Sequence, residues 1–320
     1  MPAGDILPLL LTLFGLIAVG QLLRLLAVLP ASAPDVLARV IVQVTMPALI
    51  VVILARARFE PALLPALLAT TLALLAALAL GALWLRLLGA DRPAQGAAGL
   101  VSAFSNTAFL GLPFVLARYP GSPSAATTAV VIDTVDTTIL LLTLGVGFAT
   151  TMARTRPPTP GPRLPRLARA ALQLLLRPML LAVLVGLALA LSDTPLPDLL
   201  ATPLTQVGQA TPTLAFLTIG LGLDLRSLRG QTLALAGIAG IKLLLMPALV
   251  AGILLALDVH GDVAHVAVLQ AAMPTAVVSA IIAGDAGCDA RLASAATVTN
   301  TLLALATLPL LAACLPALGL

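Results

Sequence analysis

Residues 102–113 read SAFSNTAFLGLP and place Ser, Asn, Thr and a proline inside an otherwise apolar stretch. A second stretch of the same kind, QAAMPTAVVS, occupies residues 270–279. Proline lacks the backbone N–H and its ring clashes with the preceding turn, so both helices are expected to break here. In lipid, freed backbone groups are tolerated only against protein or a polar cavity. The two stretches therefore predict a polar substrate site within a membrane, and the alternative is a pair of structural kinks.

The composition around these stretches is typical of a membrane protein. Of the 320 residues, 60% are hydrophobic and only 9% are charged, whereas soluble domains carry about 25% charged residues. This excludes a soluble enzyme, a secreted disulfide scaffold, a nucleic-acid-binding protein and a disordered chain. Cys288 and Cys314 lack metal-ligand spacing, and His260, Asp262 and His265 are interpreted as residues in or near a solvated loop. We expect no cofactor, no metal and no nucleic-acid partner.

Ten apolar segments divide the chain, most of them at or above the 20 or so residues that a helix needs to cross a bilayer. The runs are continuously apolar and do not alternate, which favours helices over a β-barrel. We therefore predict an all-α membrane protein with ten transmembrane helices. The segments cover residues 6–29, 35–55, 62–88, 97–117, 125–152, 168–191, 197–223, 230–257, 263–283 and 292–317.

Arginines are concentrated in alternate loops between these segments. Loops rich in arginine lie in the cytoplasm by the positive-inside rule. This predicts a multi-pass protein of the cell (inner) membrane with both termini on the outer side. The predicted cytoplasmic loops hold Arg24, Arg86, Arg92, Arg154, Arg156, Arg163, Arg166, Arg169, Arg226, Arg229 and Arg291, and the predicted outer loops hold Arg56, Arg58 and Arg118. Residues 154–166, rich in Arg and Pro, are expected to form an extended cytoplasmic linker.

Five segments precede this linker and five follow it, so the second half is expected to insert upside down relative to the first. Inverted repeats of this kind are typical of secondary transporters. The predicted units are a first five-helix repeat at 1–153, the linker at 154–166 and an inverted second repeat at 167–320. Matching motifs support the repeat: TMPAL at 45–49 with ATPTL at 210–214, and VIDT at 131–134 with VTNT at 298–301.

The motifs and their layout resemble the auxin efflux carrier family of membrane transporters. The resemblance rests on NTAFLGLP at 106–113, AMPTA at 272–276 and KLLLMP at 242–247, together with the five-plus-five arrangement. It implies discontinuous crossover helices four and nine, and a transport domain that moves against a scaffold. It also implies an organic-anion substrate, such as auxin in plants or a dicarboxylate in bacteria. The short linker and the aromatic content of 3% disfavour an indole substrate here.

The resemblance and the polar character of the two breaks together predict the substrate site. Asn106 and Pro113 match the first crossover of the family, and Pro274 and Thr275 match the second. We expect these residues to meet near the middle of the membrane. The predicted substrate-binding residues are Ser105, Asn106, Thr107, Pro113, Pro274 and Thr275.

Polar and ionisable residues within the predicted spans indicate a coupling role. Intramembrane charges are unfavourable and mark functional sites by default. Asp133 and Asp136 share a helix face, and Lys242 and Asn300 lie at a similar predicted depth. We predict that Lys242 pairs with one of the two carboxylates and that this group couples transport to a proton or Na⁺. A purely structural ion pair is the alternative.

The combined prediction is a secondary transporter, a permease that moves a mono- or dicarboxylate by elevator-like alternating access. A sodium-coupled bile-acid-type symporter of related fold is the alternative. No HExxH or GxSxG motif is present, so no catalytic residue is assigned and an intramembrane enzyme is disfavoured, as is a membrane sensor. The expected partners are a small organic anion and the lipid bilayer, and a homodimer is left open.

Overall fold

The structure is a computed structural model that describes residues 6–57, 59–153, 176–192, 194–222 and 232–320. These residues form helices and connecting turns, with a single isolated β-bridge. The predicted linker at 154–166 lies outside the described residues, as does the first part of the predicted segment 168–191. The helices are α1 Ile6–Leu25, α2 Ala33–Leu54, α3 Leu63–Leu87, α4 Arg92–Ala103, α5 Thr107–Arg118, α6 Pro123–Met152, α7 Pro178–Leu191, α8 Asp198–Gly222, α9 Thr232–Ala256, α10 Asp262–Ala272, α11 Val277–Asp285 and α12 Ala290–Leu318.

Five of these helices, α2, α3, α6, α9 and α12, are long and apolar enough to cross a membrane. Each agrees to within two residues at either end with a segment predicted from the sequence. The predicted segments 97–117 and 263–283 are each divided between two shorter helices, α4 and α5 in the first case and α10 and α11 in the second. The prediction of an all-α membrane protein is confirmed for the part of the chain that the structure describes.

Widened, π-helical turns precede three of the prolines within these helices. A proline ring collides with the carbonyl one turn earlier and leaves that carbonyl without its N–H partner, and a wider turn moves the carbonyl aside. Each helix continues as an α-helix beyond its widened turn. The widened turns are Ile41–Thr45 before Pro47, Thr107–Gly111 before Pro113 and Ile241–Leu245 before Pro247.

The helices pack as two groups. In the first group α8 packs along both α1 and α2, and α7 packs against α2. In the second group α3 packs along α4, α9 and α10, while α12 packs against α4 and α11. The α6 helix joins the second group through α10. The α5 helix touches both groups, since it contacts α8 on one side and α6 on the other.

Glycines allow α1 and α8 of the first group to approach closely. A Cβ atom added to Gly220 would lie 2.1 Å from the carbonyl oxygen of Ile17. A Cβ atom added to Gly20 would lie 2.4 Å from the carbonyl oxygen of Leu217. Backbone atoms cannot rotate out of the way as a long side chain can. The contact is therefore of the small-residue type by which membrane helices pack backbone against backbone.

Gly220→Ala is expected to destabilise the protein, because the added methyl group forces α1 and α8 apart. The expected loss is about 1–3 kcal/mol, typical of overpacking at a tight contact, and it is measured as a lower midpoint of thermal unfolding in detergent. Gly222→Ala on the same helix is the matched control, since a Cβ there meets nothing within 4 Å. Equal losses in the two variants would contradict the close-packing argument.

Candidate functional site

The α4–α5 and α10–α11 pairs are each interrupted by a short extended segment. Phe104 and Met273, the residues that follow α4 and α10, have ψ angles of 117° and 144°. Met273 precedes Pro274, and a residue before proline is driven out of the helical conformation. In the first interruption Pro113 lies further along, inside α5. The break there occurs at Asn106, whose side chain caps the new helix, so the expectation that Pro113 itself breaks the helix is wrong.

The two extended segments lie against each other in antiparallel orientation, with Ser105 opposite Thr275. The N–H of Asn106 donates to the carbonyl of Pro274 at 2.7 Å. The N–H of Ala276 donates to the carbonyl of Phe104 at 2.9 Å. We call this pairing of residues 104–106 with 273–276 the crossing. The expectation that Asn106 and Pro274 lie together is therefore confirmed, and each break satisfies backbone groups of the other.

Two helices begin at the crossing and two end there. The N–H groups in the first turn of α5 and α11 carry partial positive charge, and the last carbonyls of α4 and α10 carry partial negative charge. The side chain of Asn106 accepts a hydrogen bond from the N–H of Phe109 at 3.2 Å, as expected of an N-cap residue. Val277 and Val278, in the first turn of α11, are 52% and 44% exposed. These two apolar side chains are therefore not covered by the rest of the described chain.

We call the two extended segments of the crossing its first arm, at 104–106, and its second arm, at 273–276. Asn300 of α12 holds the second arm in place. Its amide Nδ2 donates to Thr275 Oγ1 at 2.7 Å. The Thr275 hydroxyl in turn donates to the carbonyl of Val101 in α4 at 2.6 Å. Asn300 and Thr275 are fully buried. The chain of hydrogen bonds therefore fixes the conformation of the second break from the helix behind it.

Asp133 of α6 holds the first arm in place, through Thr107 and Thr137. Thr107 Oγ1 donates to Asp133 Oδ1 at 2.6 Å and also lies 2.7 Å from Thr137 Oγ1. The Thr137 hydroxyl lies 3.3 Å from the carbonyl of Ser105, to which it can donate. Thr137 had not been predicted, although it lies four residues after Asp133 and therefore shares its helix face.

Asp136 points towards a different neighbour. Its Oδ1 accepts a hydrogen bond from Thr71 Oγ1 of α3 at 2.7 Å. Asp133 and Asp136 are both buried. The two carboxylates therefore connect α6 to the crossing and to α3 respectively.

Lys242 does not pair with a carboxylate. Its ammonium donates to Ser105 Oγ at 2.7 Å, to the carbonyl of Ala271 at 2.7 Å and to the sulfur of Met246 at 3.2 Å. Among the described residues, no ion pair joins it to Asp133 or Asp136. The predicted pair is therefore wrong, because the two helix breaks supply a free carbonyl and a hydroxyl within reach.

Gln270 and Pro113 lie beside the crossing. Gln270 is fully buried, and its Nε2 donates to the carbonyl of Ala129 at 3.2 Å. Its Oε1 packs on Gly111, where an added Cβ would lie 1.9 Å away. Pro113 is buried about 10 Å further along α5 than Asn106. Pro113 therefore lies inside α5 and not in the first extended segment.

A small cavity of about 10 Å³ adjoins the crossing. This is near the smallest space that holds one water molecule. The polar residues that line it are Thr70, Ser105, Thr107, Asp136, Thr137 and Gln270. The cavity therefore has no room for an organic ion.

The two histidines lie away from the crossing and do not converge. His260, in the turn before α10, bonds Asp258 Oδ1 at 2.9 Å and the carbonyl of Gly319 at 2.7 Å. Both hydrogen bonds raise the pKa of His260, and the bond to Asp258 has the larger effect. His265 packs its ring 6.4 Å from that of Tyr119. Within the described ranges no three His, Cys, Asp or Glu residues are grouped to hold a metal ion.

The helices and the buried crossing define a polytopic helical membrane protein with a polar centre. Residues 5–312 match the family described as membrane transport protein. The chain is also 30% identical over 304 residues to a protein described as an uncharacterized transporter from Methanothermobacter thermautotrophicus, an alignment that covers 94% of this chain and 95% of that protein. The chain belongs to the membrane transport protein family, of the auxin efflux carrier type, in agreement with its sequence motifs.

Proposed function

We propose that this protein is a secondary transporter that moves a small organic anion, such as a mono- or dicarboxylate, across the cell membrane. Its family supports a role in transport. The anion class is carried by one observation, the start of α5 and α11 at the crossing, since helix N-termini bind anions through their N–H groups. The proposed binding residues are Ser105, Asn106, Thr107, Pro274 and Thr275, and Pro113 shapes α5 behind them.

The proposed architecture is ten spans in two inverted five-helix repeats, 1–153 and 167–320, joined by the linker at 154–166. The hydrogen bonds at the crossing support this correspondence. Asp133 of α6 bonds Thr107, just after the first break, and Asn300 of α12 bonds Thr275 in the second. The residues that hold the two arms occupy matching positions in the VIDT and VTNT motifs, as a repeat requires.

The proposed mechanism is elevator-like alternating access. The first group of helices, α1, α2, α7 and α8, is the scaffold, and the second group carries the crossing as the moving unit. The separation of the two groups and the position of α5 between them support this division. The small volume of the cavity fits a state in which the anion has no room to enter. Asp133 and Asp136 are the proposed coupling carboxylates.

Counterflow in proteoliposomes tests the transport function. Vesicles preloaded with an unlabelled mono- or dicarboxylate should take up the labelled compound at least about tenfold above protein-free vesicles. The uncharged amide of the same acid is the matched control and should not exchange. Exchange of the amide as fast as the acid, or exchange of no carboxylate in the panel, would contradict the proposal. Uptake that requires Na⁺ would favour the bile-acid-type symporter.

The proposed topology predicts that the linker and the C-terminus lie on opposite sides of the membrane. In a background with Cys288 and Cys314 replaced by Ser, Gly319→Cys should react with an impermeant maleimide in intact cells. Thr159→Cys should react only after the membrane is permeabilised. Labelling of both positions from the same side would refute both the ten-span count and the inverted repeat.

A further inference from the structure

The ammonium of Lys242 is fully buried and all its donors are used. Its three N–H bonds meet three acceptors, Ser105 Oγ, the carbonyl of Ala271 and the sulfur of Met246. Met246 lies one turn along the same helix, whereas the other two acceptors belong to the two broken helices. The side chain therefore extends from α9 to the place where both breaks meet.

The acceptors around this ammonium are of the kind that hold a cation in a broken-helix transporter. Ala271 lies in the last turn of α10, where carbonyls lack an intrahelical partner and carry partial negative charge. Ser105 lies in the other break, and its hydroxyl is a further oxygen ligand. Unwound carbonyls and half-helix C-termini coordinate Na⁺ or H⁺ in transporters with discontinuous helices.

The environment of Lys242 also contains negative charge without direct contact. Asp133 reaches the crossing through Thr107 and Thr137, whose hydroxyls lie near the carbonyl of Ser105. Asp136 bonds Thr71 and lines the cavity beside Ser105. A positive charge at the crossing is thus balanced by helix dipoles and by nearby carboxylates, and does not need a paired carboxylate.

We propose that the ammonium of Lys242 is a tethered cation that occupies the position where a dissolved monovalent cation would otherwise bind, so that this carrier transports its anion without Na⁺. The proposal deepens the proposed function and rests on it, because it assumes that the protein transports an anion. Because α9 packs with α3 and α10, the tethered cation moves with the crossing. Because the cation belongs to the protein, it is neither taken up nor released with the anion, and no Na⁺ gradient enters the energetics of transport.

Substitution of Lys242 tests the proposal by exchanging a tethered cation for a free one. Lys242→Ala removes the charge and leaves space beside Ser105 and the Ala271 carbonyl, whereas Lys242→Gln removes the charge and adds an amide oxygen that can bind a cation. Lys242→Met removes the charge but fills the space, and it is the matched control. Thermal unfolding in detergent is compared in NaCl, LiCl and choline chloride at equal ionic strength, so that no substrate is needed.

We expect Na⁺ to raise the unfolding midpoint of the Ala or Gln variant by about 3 °C or more at ten times its dissociation constant. Wild type and Lys242→Met should show no difference between Na⁺ and choline. The proposal is overturned if the Ala and Gln variants fold but Na⁺ leaves their unfolding midpoints unchanged. It is also overturned if Na⁺ raises the midpoint of the Met variant as much as theirs.

Transport by the wild-type protein provides an independent measurement, decisive even if the Ala and Gln variants do not fold. Carboxylate counterflow should be the same within error in Na⁺, K⁺ and choline media. Stimulation of wild-type counterflow by Na⁺ overturns the proposal. If no carboxylate is exchanged under any condition, the proposed transport function fails, while the unfolding midpoints still decide whether Lys242 replaces a cation.

Discussion

Asn106→Asp is expected to reduce transport at least about tenfold in a protein that remains folded. The Asp side chain retains the oxygen that accepts the Phe109 N–H, and a carboxylate is a good N-cap that also favours the helix dipole. The same carboxylate places a negative charge at the start of α5, where we propose that the anion binds. Like charges at close range in a partly buried site repel by several kcal/mol. The measurement is counterflow of the carboxylate, with the unfolding midpoint as the check on folding.

Asn106→Ser is the matched control for this charge effect. Serine also caps a helix but adds no charge, so it should retain more transport than the Asp variant while unfolding at a similar temperature. If both variants lost transport equally, the amide of Asn106 itself would be required, and repulsion of the anion would not explain the loss. Full activity of Asn106→Asp would exclude an anion site at the start of α5.

Asp133→Asn is expected to reduce accumulation driven by a proton gradient about tenfold or more. Counterflow at equal pH should stay within about threefold of the wild-type rate. The Asn side chain retains an oxygen that accepts the Thr107 hydroxyl, so the first arm of the crossing keeps its geometry. It cannot take up and release a proton, which removes the proposed coupling step. The measurement compares accumulation in vesicles with and without an imposed pH difference.

Asp136→Asn is the companion variant, since Asp136 bonds Thr71 of α3 and has no direct hydrogen bond to residues 104–107 of the first break. A larger loss of accumulation in Asp133→Asn than in Asp136→Asn would assign the proton to the carboxylate at the crossing. Unchanged accumulation in both variants would exclude these carboxylates from coupling.

The local chemistry of the crossing could be predicted from the sequence. Pro274 forces the residue before it into an extended conformation, and Asn106 is a strong helix cap, so both breaks have a short-range cause. Thr137 follows Asp133 by four residues and was also within reach of sequence reasoning. The prediction of a break at Pro113 was wrong because a proline in a helix is accommodated by a widened turn as well as by a break.

The partners of Lys242 could not be predicted in the same way. Counting residues from the end of a span gives the depth of a side chain in the membrane but not the direction in which it points. The acceptor that decides the matter is the backbone carbonyl of Ala271, which any residue type would supply. The contact depends on where α10 ends in space, and that is set by packing between distant parts of the chain.

The pairing of Phe104 and Asn106 with Ala276 and Pro274 has a consequence for biogenesis. Ser105 and Ala271 are 166 residues apart, so the ribosome releases the first break long before its partner is made. Until then the N–H of Asn106 and the carbonyl of Phe104 are without their final partners. The crossing can therefore form only after both halves have been synthesised, and each half made alone lacks the extended segment that completes it.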